Sequence, residues 1–412
     1  MIFKQNDKKV NIKNNMKSLL TPDNALPLDL DVACLIVKVW IPNRGAVVGR
    51  LTRDEVLDLS DLSLTCSGLL ELENLVDLIK KHKGPVLCKT ADVLSNSHYK
   101  HKNTELPWLM APCDLQAIKA AGVTFVQSML ERVIEEQARG DASRAQSVRK
   151  AVTRVIGDNL SKVIPGSESA LALKEVLIKE GIWSQYLEVG IGVDAEIFTK
   201  SQPMSAVGTG AEIGIHPKSA WNNPEPEIVL AVNSKGKCVG VTLGNDVNLR
   251  DFEGRSALLL GKAKDNNASC SIGPCIRLFD EHFDIEDVRG CALELEIRGE
   301  DGFVLKGSSE LSKISRDPLD LVSQTINENH QYPDGFMLFL GTMFAPTQDR
   351  PLGEATSAGS PGEGFTHKVG DQVRISTPKL GTLINRVNTT DQIAPWIYGV
   401  NALMNDLMKH KH

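Results

Sequence analysis

Along the chain, apolar and polar positions fall into short blocks whose period switches between about two and about 3.6 residues, the pattern of mixed strands and helices. Between residues 29 and 60 the apolar runs Ala33 to Ile41 and Ala46 to Leu51 predict strands joined at the turn-forming sequence Pro42-Asn43-Arg44-Gly45. From Leu69 to Lys81, residues Leu70, Leu72, Leu75, Leu78 and Ile79 follow mostly helical spacing, and one amphipathic helix is expected. Ala121 to Phe125 reads as a strand end leading into a charged helix, Ser128 to Glu136, and residues 141 to 186 read as mostly helical. Further on, Glu227 to Val232 and Cys238 to Asn245 predict an antiparallel hairpin around the turn Asn233 to Lys237. From Asp280 strands and turns are expected, then one helix from Glu310 to Asn329 interrupted at Pro318, then a strand from Phe336 to Leu340.

The chemistry gathers at the central hairpin. Glu225 and Glu227 stand two apart at its head, and successive strand side chains point to opposite faces, so both carboxylates share a face. The returning strand ends at Asp246, which brings a third carboxylate back to the first two. Three acids converging at the end of a buried hairpin repel one another and lose hydration unless a cation neutralises them. Oxygen ligands of this kind suit a hard divalent ion, Mg2+ first, then Mn2+ or Ca2+. Taken alone, an acidic pair before a strand is more often a solvated strand end, and the surrounding motifs decide between the two.

Composition narrows the class. A chain of 412 residues with 42% apolar content can build more than one core, and its net charge of −6 argues against a nucleic-acid surface. The basic residues Arg144, Arg149, Lys150 and Arg154 lack interleaved aromatic residues, as expected of an exposed, mixed-charge helix. Eight scattered cysteines without a C-x-x-C pair fit a reducing cytoplasm, and nine histidines without H-x-x-x-H disfavour zinc. No uninterrupted apolar window of about 18 residues is present, so no membrane span is expected. The first twenty residues, rich in Lys and Asn, are expected as a disordered extension or a misassigned start, with Met16 as the expected initiator. A smaller N-terminal α/β domain is expected over residues 21–111, ending at a connector near Pro107 to Pro112, and a catalytic domain over residues 112–412.

The order Glu225-Pro226-Glu227, hairpin, Asn245-Asp246-Val247-Asn248-Leu249-Arg250-Asp251, Lys264, Gly273-Pro274 resembles the fumarylacetoacetate hydrolase superfamily, with its E-x-E, N-D-x-x-x-R-D and a lysine some ten residues before G-P. Phe198-Thr199-Lys200 followed by Gly208 and Gly210, the Gly341-Thr342 turn, and Gly370 to Asn385 resemble further motifs, so the likeness spans residues 112–387. The long N-terminal part and the segments FTKSQPM and IHPKSAWNNPEPE look closest to the sugar-acid dehydratases acting on 2-keto-3-deoxy acids. The resemblance implies an α+β fold, a mixed β-roll catalytic domain, and a homodimer or dimer of dimers. It implies Glu225, Glu227 and Asp246 as metal ligands, Lys264 and Glu131 as catalytic groups, and Ser128, Arg132, Lys200, Gly341 and Thr342 on the substrate side. Lys200 equally suits a structural salt bridge, Thr342 a strand cap, and the Ser128 to Glu136 helix a plain charged surface.

A 2-keto acid chelating a divalent ion through its carboxylate and keto oxygens acquires an acidic C3, because the ion stabilises the enolate. Lys264 is then the expected base, if the nearby ion keeps it partly neutral, and Glu131 the expected acid as the C4 hydroxyl leaves as water. In the superfamily's lid motif N-Y-x-x-H-x-x-E, Ser128 stands at the histidine and Glu131 at the glutamate. Without that histidine, dehydration of a 2-keto-3-deoxypentonate to 2-oxoglutarate semialdehyde is expected. The alternative is hydrolysis of a C–C bond in an acylpyruvate or related diketo acid, and a third is metal-dependent binding without turnover.

Overall fold

The computed structural model describes residues 16–125, 129, 132–134, 136–137, 163–179, 183–344, 346, 348, 350 and 364–409. The N-terminal strands are β1 (Leu35–Ile41), β2 (Gly45–Leu51), β3 (Glu55–Asp58), β4 (Val86–Lys89), β5 (Trp108–Leu109) and β6 (Ala117–Gly122). The middle of the chain adds β7 (Glu196–Ser201), β8 (Glu212–Ile215), β9 (Asn222–Asn223), β10 (Pro226–Val232), β11 (Cys238–Asp246), β12 (Asn248–Leu249) and β13 (Cys270–Leu278). The last are β14 (Ala292–Arg298), β15 (Val304–Glu310), β16 (Phe336–Phe339), β17 (Gln372–Thr377) and β18 (Gly381–Thr389).

An 11-stranded sheet runs β4-β3-β2-β1-β13-β11-β10-β16-β6-β7, with β5 also on β1, and a 5-stranded sheet runs β15-β14-β17-β18-β8. Both are mixed and open, each with a single parallel pair, β16 with β6 and β18 with β8. The architecture is α+β. Strand β10 explains the layering, because it is buried along its whole length and must serve two cores. Ile228, Leu230 and Val232 face a cluster shared with Leu293, Leu295, Val373, Ile375 and Leu383 of the smaller sheet. Val229 and Ala231, on the opposite face, join Cys66, Leu69, Leu70 and Ile79 of the N-terminal helices. Each valine, leucine or isoleucine side chain so withdrawn from water contributes roughly 1.5–3 kcal/mol.

The expected boundary near residue 111 falls between β5 and β6, yet the sheet is continuous across it through the β1–β13 pairing of Ile36 with Ile276. Within the expected N-terminal extension, Met16–Leu19 is helical and Met16 and Leu20 are buried in a core with Leu35 and Val37. Residues 1–15 lie outside the described residues.

Several helix limits differ from the periodicity. The single helix expected from Leu69 to Lys81 is two, Cys66–Leu70 and Leu75–Lys81, because Asn74 takes the left-handed conformation at φ 53° between them. Strand β15 occupies the start of the expected Glu310 to Asn329 helix, which is reduced to Pro318–Thr325. Proline lacks an N–H and restricts the residue before it, so Pro318 starts the helix instead of interrupting it. A helix at Ile285–Arg289 stands where only strands and turns were expected, and Asp284 and Asp287 close it in a capping box.

Candidate metal and acid–base site

The site grows out of one antiparallel ladder. In the β10–β11 pair, Pro226 lies opposite Asn245 and Glu227 opposite Gly244. Just beyond, the Asp246 N–H donates to the Glu225 carbonyl at 3.0 Å, so the pairing carries on past the strand. Glu225, Glu227 and Asp246 are all buried, and one oxygen of each lies within 4.8 Å of the others. Strand alternation and spacing were therefore enough to bring the three expected ligands together.

A backbone of positive charge surrounds them. Lys264, the last residue of the helix Leu260–Lys264, ion-pairs with Glu225 and places its Nζ 2.9 Å from Asp246 Oδ2. Lys200 Nζ lies 2.9 Å from Asp246 Oδ1, donates to the Val247 carbonyl at 3.2 Å and also to that of Lys264. Arg132 ion-pairs with Glu225, and its other terminal nitrogen lies 2.9 Å from Glu253 Oε2. Lys200 is thus a fully buried salt-bridge partner of Asp246, and Arg132 grips the Glu225 carboxylate. From β16, the Gly341 N–H donates to Glu227 Oε2 at 2.7 Å and the Thr342 hydroxyl to Glu227 Oε1 at 3.4 Å, so the turn holds the second acid. Ser128 and Glu131 lie outside the described residues.

The electrostatics of the acids diverge. Burial opposes the charge of Glu225, but Lys264 and Arg132 overcome it and hold its pKa at about 2. For Glu227, burial and the charges of Asp246 and Glu225 act together and push the carboxyl well above its ordinary range. Burial also opposes the charge of Lys264, yet Asp246, Glu225 and Glu253 outweigh it and keep the ammonium firmly protonated. The expected partly neutral Lys264 is therefore not the state of the chain by itself, since its carboxylate neighbours favour the cation. Glu227 is the acid whose charge the neighbouring lysines and arginine leave least compensated. Three buried, hard oxygen donors, one of them without an ion pair among the described residues, fit a divalent cation of the Mg2+ type.

Glu196 on β7 escaped the sequence reading. Burial and Glu253 raise its carboxyl to about 7, against the opposing pull of Arg132 and Lys264. It stands opposite Gly122, where a Cβ would fall 1.9 Å from its Oε2, so the glycine makes room for the carboxyl. The available signal was its spacing two residues before Phe198, whose ring lies 5.5 Å from Lys264 Nζ. Glu253, buried three residues after Arg250, carried no local signal, because its partner Arg132 is distant in sequence.

Residues 190–388 match the family model described as fumarylacetoacetate (FAA) hydrolase C-terminal. The chain is 32% identical over 208 residues to the 2-dehydro-3-deoxy-D-arabinonate dehydratase of Saccharolobus solfataricus, covering 50% of this chain and 63% of that protein. It is 31% identical over 204 residues to the probable 2-keto-3-deoxyxylonate dehydratase of Haloferax volcanii, covering 50% of this chain and 64% of that protein. The match thus spans less than two thirds of either curated relative. In fold, the chain is similar to a structure of 2-keto-3-deoxy-D-arabinonate dehydratase complexed with magnesium and 2,5-dioxopentanoate, with a TM-score of 0.59 at 22% identity over 86% of this chain and 99% of that one.

Proposed function

We propose that the protein, whose residues 190–388 match the fumarylacetoacetate hydrolase C-terminal family model, is a hydro-lyase that removes water from a 2-keto-3-deoxy sugar acid, converting a 2-keto-3-deoxypentonate to 2-oxoglutarate semialdehyde. The observation that carries the proposal is the buried triad Glu225, Glu227 and Asp246 with Lys264 against it, in a chain of which 50% aligns at 31% and 32% identity with sugar-acid dehydratases. Mg2+ held by the triad would supply electrophilic pull on the keto oxygen of the substrate.

The chain's own residues then handle protons. Lys264 exchanges a proton at Nζ only when Asp246 and Glu225 are neutralised otherwise, because both hold the ammonium charged. It is our candidate to take the proton from C3. Loss of the C4 hydroxyl as water needs a proton donor, the role assigned to Glu131, and Glu196 joins it as a second candidate because it keeps its proton up to about pH 7. Gly341 and Thr342 orient Glu227, while Lys200 and Arg132 orient Asp246 and Glu225. No described helix is long and apolar enough to cross a membrane. All eight cysteines are free thiols, which supports a cytoplasmic location, and we propose a homodimer or dimer of dimers on the resemblance.

The test is incubation with Mg2+ and a panel of 2-keto-3-deoxypentonates and acylpyruvates, read by mass spectrometry. Loss of one water from a pentonate, abolished by EDTA and restored by Mg2+, is expected. Gain of water with chain cleavage of an acylpyruvate would instead establish the C–C hydrolase.

A further inference from the structure

The ladder that carries the triad continues one step outward. Asn248 pairs with Asn223 in the two-stranded sheet β9–β12, and this register runs on without a shift from Glu227 opposite Gly244 and Asp246 bonded to Glu225. Directly opposed residues of an antiparallel pair project to the same face, and alternate residues along a strand share it. Asn223 and Asn248 therefore follow Glu225 and Asp246 on one face of one ladder. The intervening residues Val247 and Leu249 confirm the alternation, since both lie in the core on the other side.

Both amides are buried, Asn223 at 1% and Asn248 at 0% exposure, and both have polar atoms without a partner among the described residues. Asn248 leaves Oδ1 and Nδ2 unbonded, and Asn223 leaves Oδ1 unbonded. The orientation of Asn223 is set, because its Nδ2 donates to the Pro224 carbonyl at 2.9 Å and its oxygen must face away. A buried polar atom without a partner costs about 1–3 kcal/mol, so three together beside a triad of acids mark a place prepared for a polar ligand.

We propose that Asn223 and Asn248 form the subsite that receives a hydroxyl of the substrate tail beyond C3, and so set the requirement for a polyhydroxy acid. This rests on the proposed 2-keto-3-deoxy acid as substrate. The pair offers two carbonyl acceptors and one amide donor, which matches a hydroxyl that donates and accepts at once. It does not match a carboxylate, which only accepts and would face two carbonyl oxygens in addition to the nearby acids. The keto-acid head goes to the cation end of the ladder and the hydroxylated tail to the amide end.

The test compares two ligands by calorimetry in Mg2+: a 2-keto-3-deoxypentonate, and pyruvate, which has the same head and no tail hydroxyl. In the wild type the pentonate should bind more tightly. In Asn248→Leu, of similar size but apolar, its affinity should fall about tenfold, the fold-change for one hydrogen bond left unmade, while the affinities for pyruvate and Mg2+ hold. Asn248→Ala, with a cooperative thermal transition as the folding control, should behave alike and serves if the leucine variant does not fold. A variant that still prefers the pentonate to the wild-type extent, or that loses pyruvate equally, overturns the subsite alone. A wild type that binds neither ligand in Mg2+ overturns the substrate class and the subsite with it.

Discussion

Lys264 carries opposing demands, and its replacement separates them. Its ammonium neutralises Glu225 and Asp246 within a buried site, so Lys264→Met should destabilise the chelated protein and make it bind Mg2+ more tightly, since the acids lose their internal counter-charge. If Lys264 also takes the C3 proton, kcat should fall at least about a hundredfold with Mg2+ bound. Turnover near the wild-type value would remove it from the chemistry. Glu196 gives a pH-dependent signature. Its folded pKa of about 7 lies above the ordinary carboxylate value, so in the pH range between them the folded chain keeps a proton that the unfolded chain releases. The stabilisation from that proton is complete at pH values below the unfolded pKa and is lost as pH rises through 7. Glu196→Gln cannot ionise and should gain about 2 kcal/mol over wild type between pH 5 and pH 8 in chelator, measured by denaturant midpoints. Equal midpoint differences at both pH values would place the Glu196 carboxyl in an ordinary, ionised state.

Among the elements, the helix Pro318–Thr325 shows how a boundary is set by one side chain. Asp317 accepts from the Leu319 N–H at 2.8 Å and forms a bidentate pair with Arg289 at 2.7 and 2.9 Å, tying two helices together. Asp317→Ala should cost about 1–2 kcal/mol, a fall of a few degrees in Tm, with turnover unchanged. Asp317→Asn keeps the cap and should recover part of it; an alanine variant as stable as wild type would show that the proline alone starts this helix. The periodicity misjudged this region because Leu311 and Ile314 are apolar for a different reason, the first opening a single 3-10 turn directly after β15 and the second closing it, and not on one α-helix face.

At the scale of the molecule, the two expected halves share charges as well as a sheet. Lys38 on β1 pairs with Asp114 at 2.9 Å, both fully buried, and Asp114 also accepts from the N–H groups of Cys66 and Ser67. Arg277 on β13, 1% exposed, forms a two-pronged pair with Asp29 at 2.6 and 2.9 Å. A chain of residues 112–412 alone would deprive Asp114 of Lys38 and Arg277 of Asp29, their counter-charges in the whole chain, and expose the edge of β13. It should be insoluble or lack a cooperative transition in circular dichroism. A soluble fragment with a sharp thermal transition would show that the catalytic part folds on its own.

Local pattern in the sequence determined the hairpin, the shared face of Glu225 and Glu227, the return of Asp246 and the strand leading to Gly341-Thr342. A period of two and a short turn dictate these directly, because the partners lie within one ladder or at the end of one strand. Only the tertiary structure decided which cations meet those acids. Arg132 reaches Glu225 across 93 residues, and Lys264 owes its firm charge to carboxylates on a different element. It also decided that Glu196 keeps its proton up to about pH 7 and that the Asn248 amide has no partner among the described residues. Burial and charge at those positions depend on strand order and sheet packing, which bring together segments that no local spacing relates.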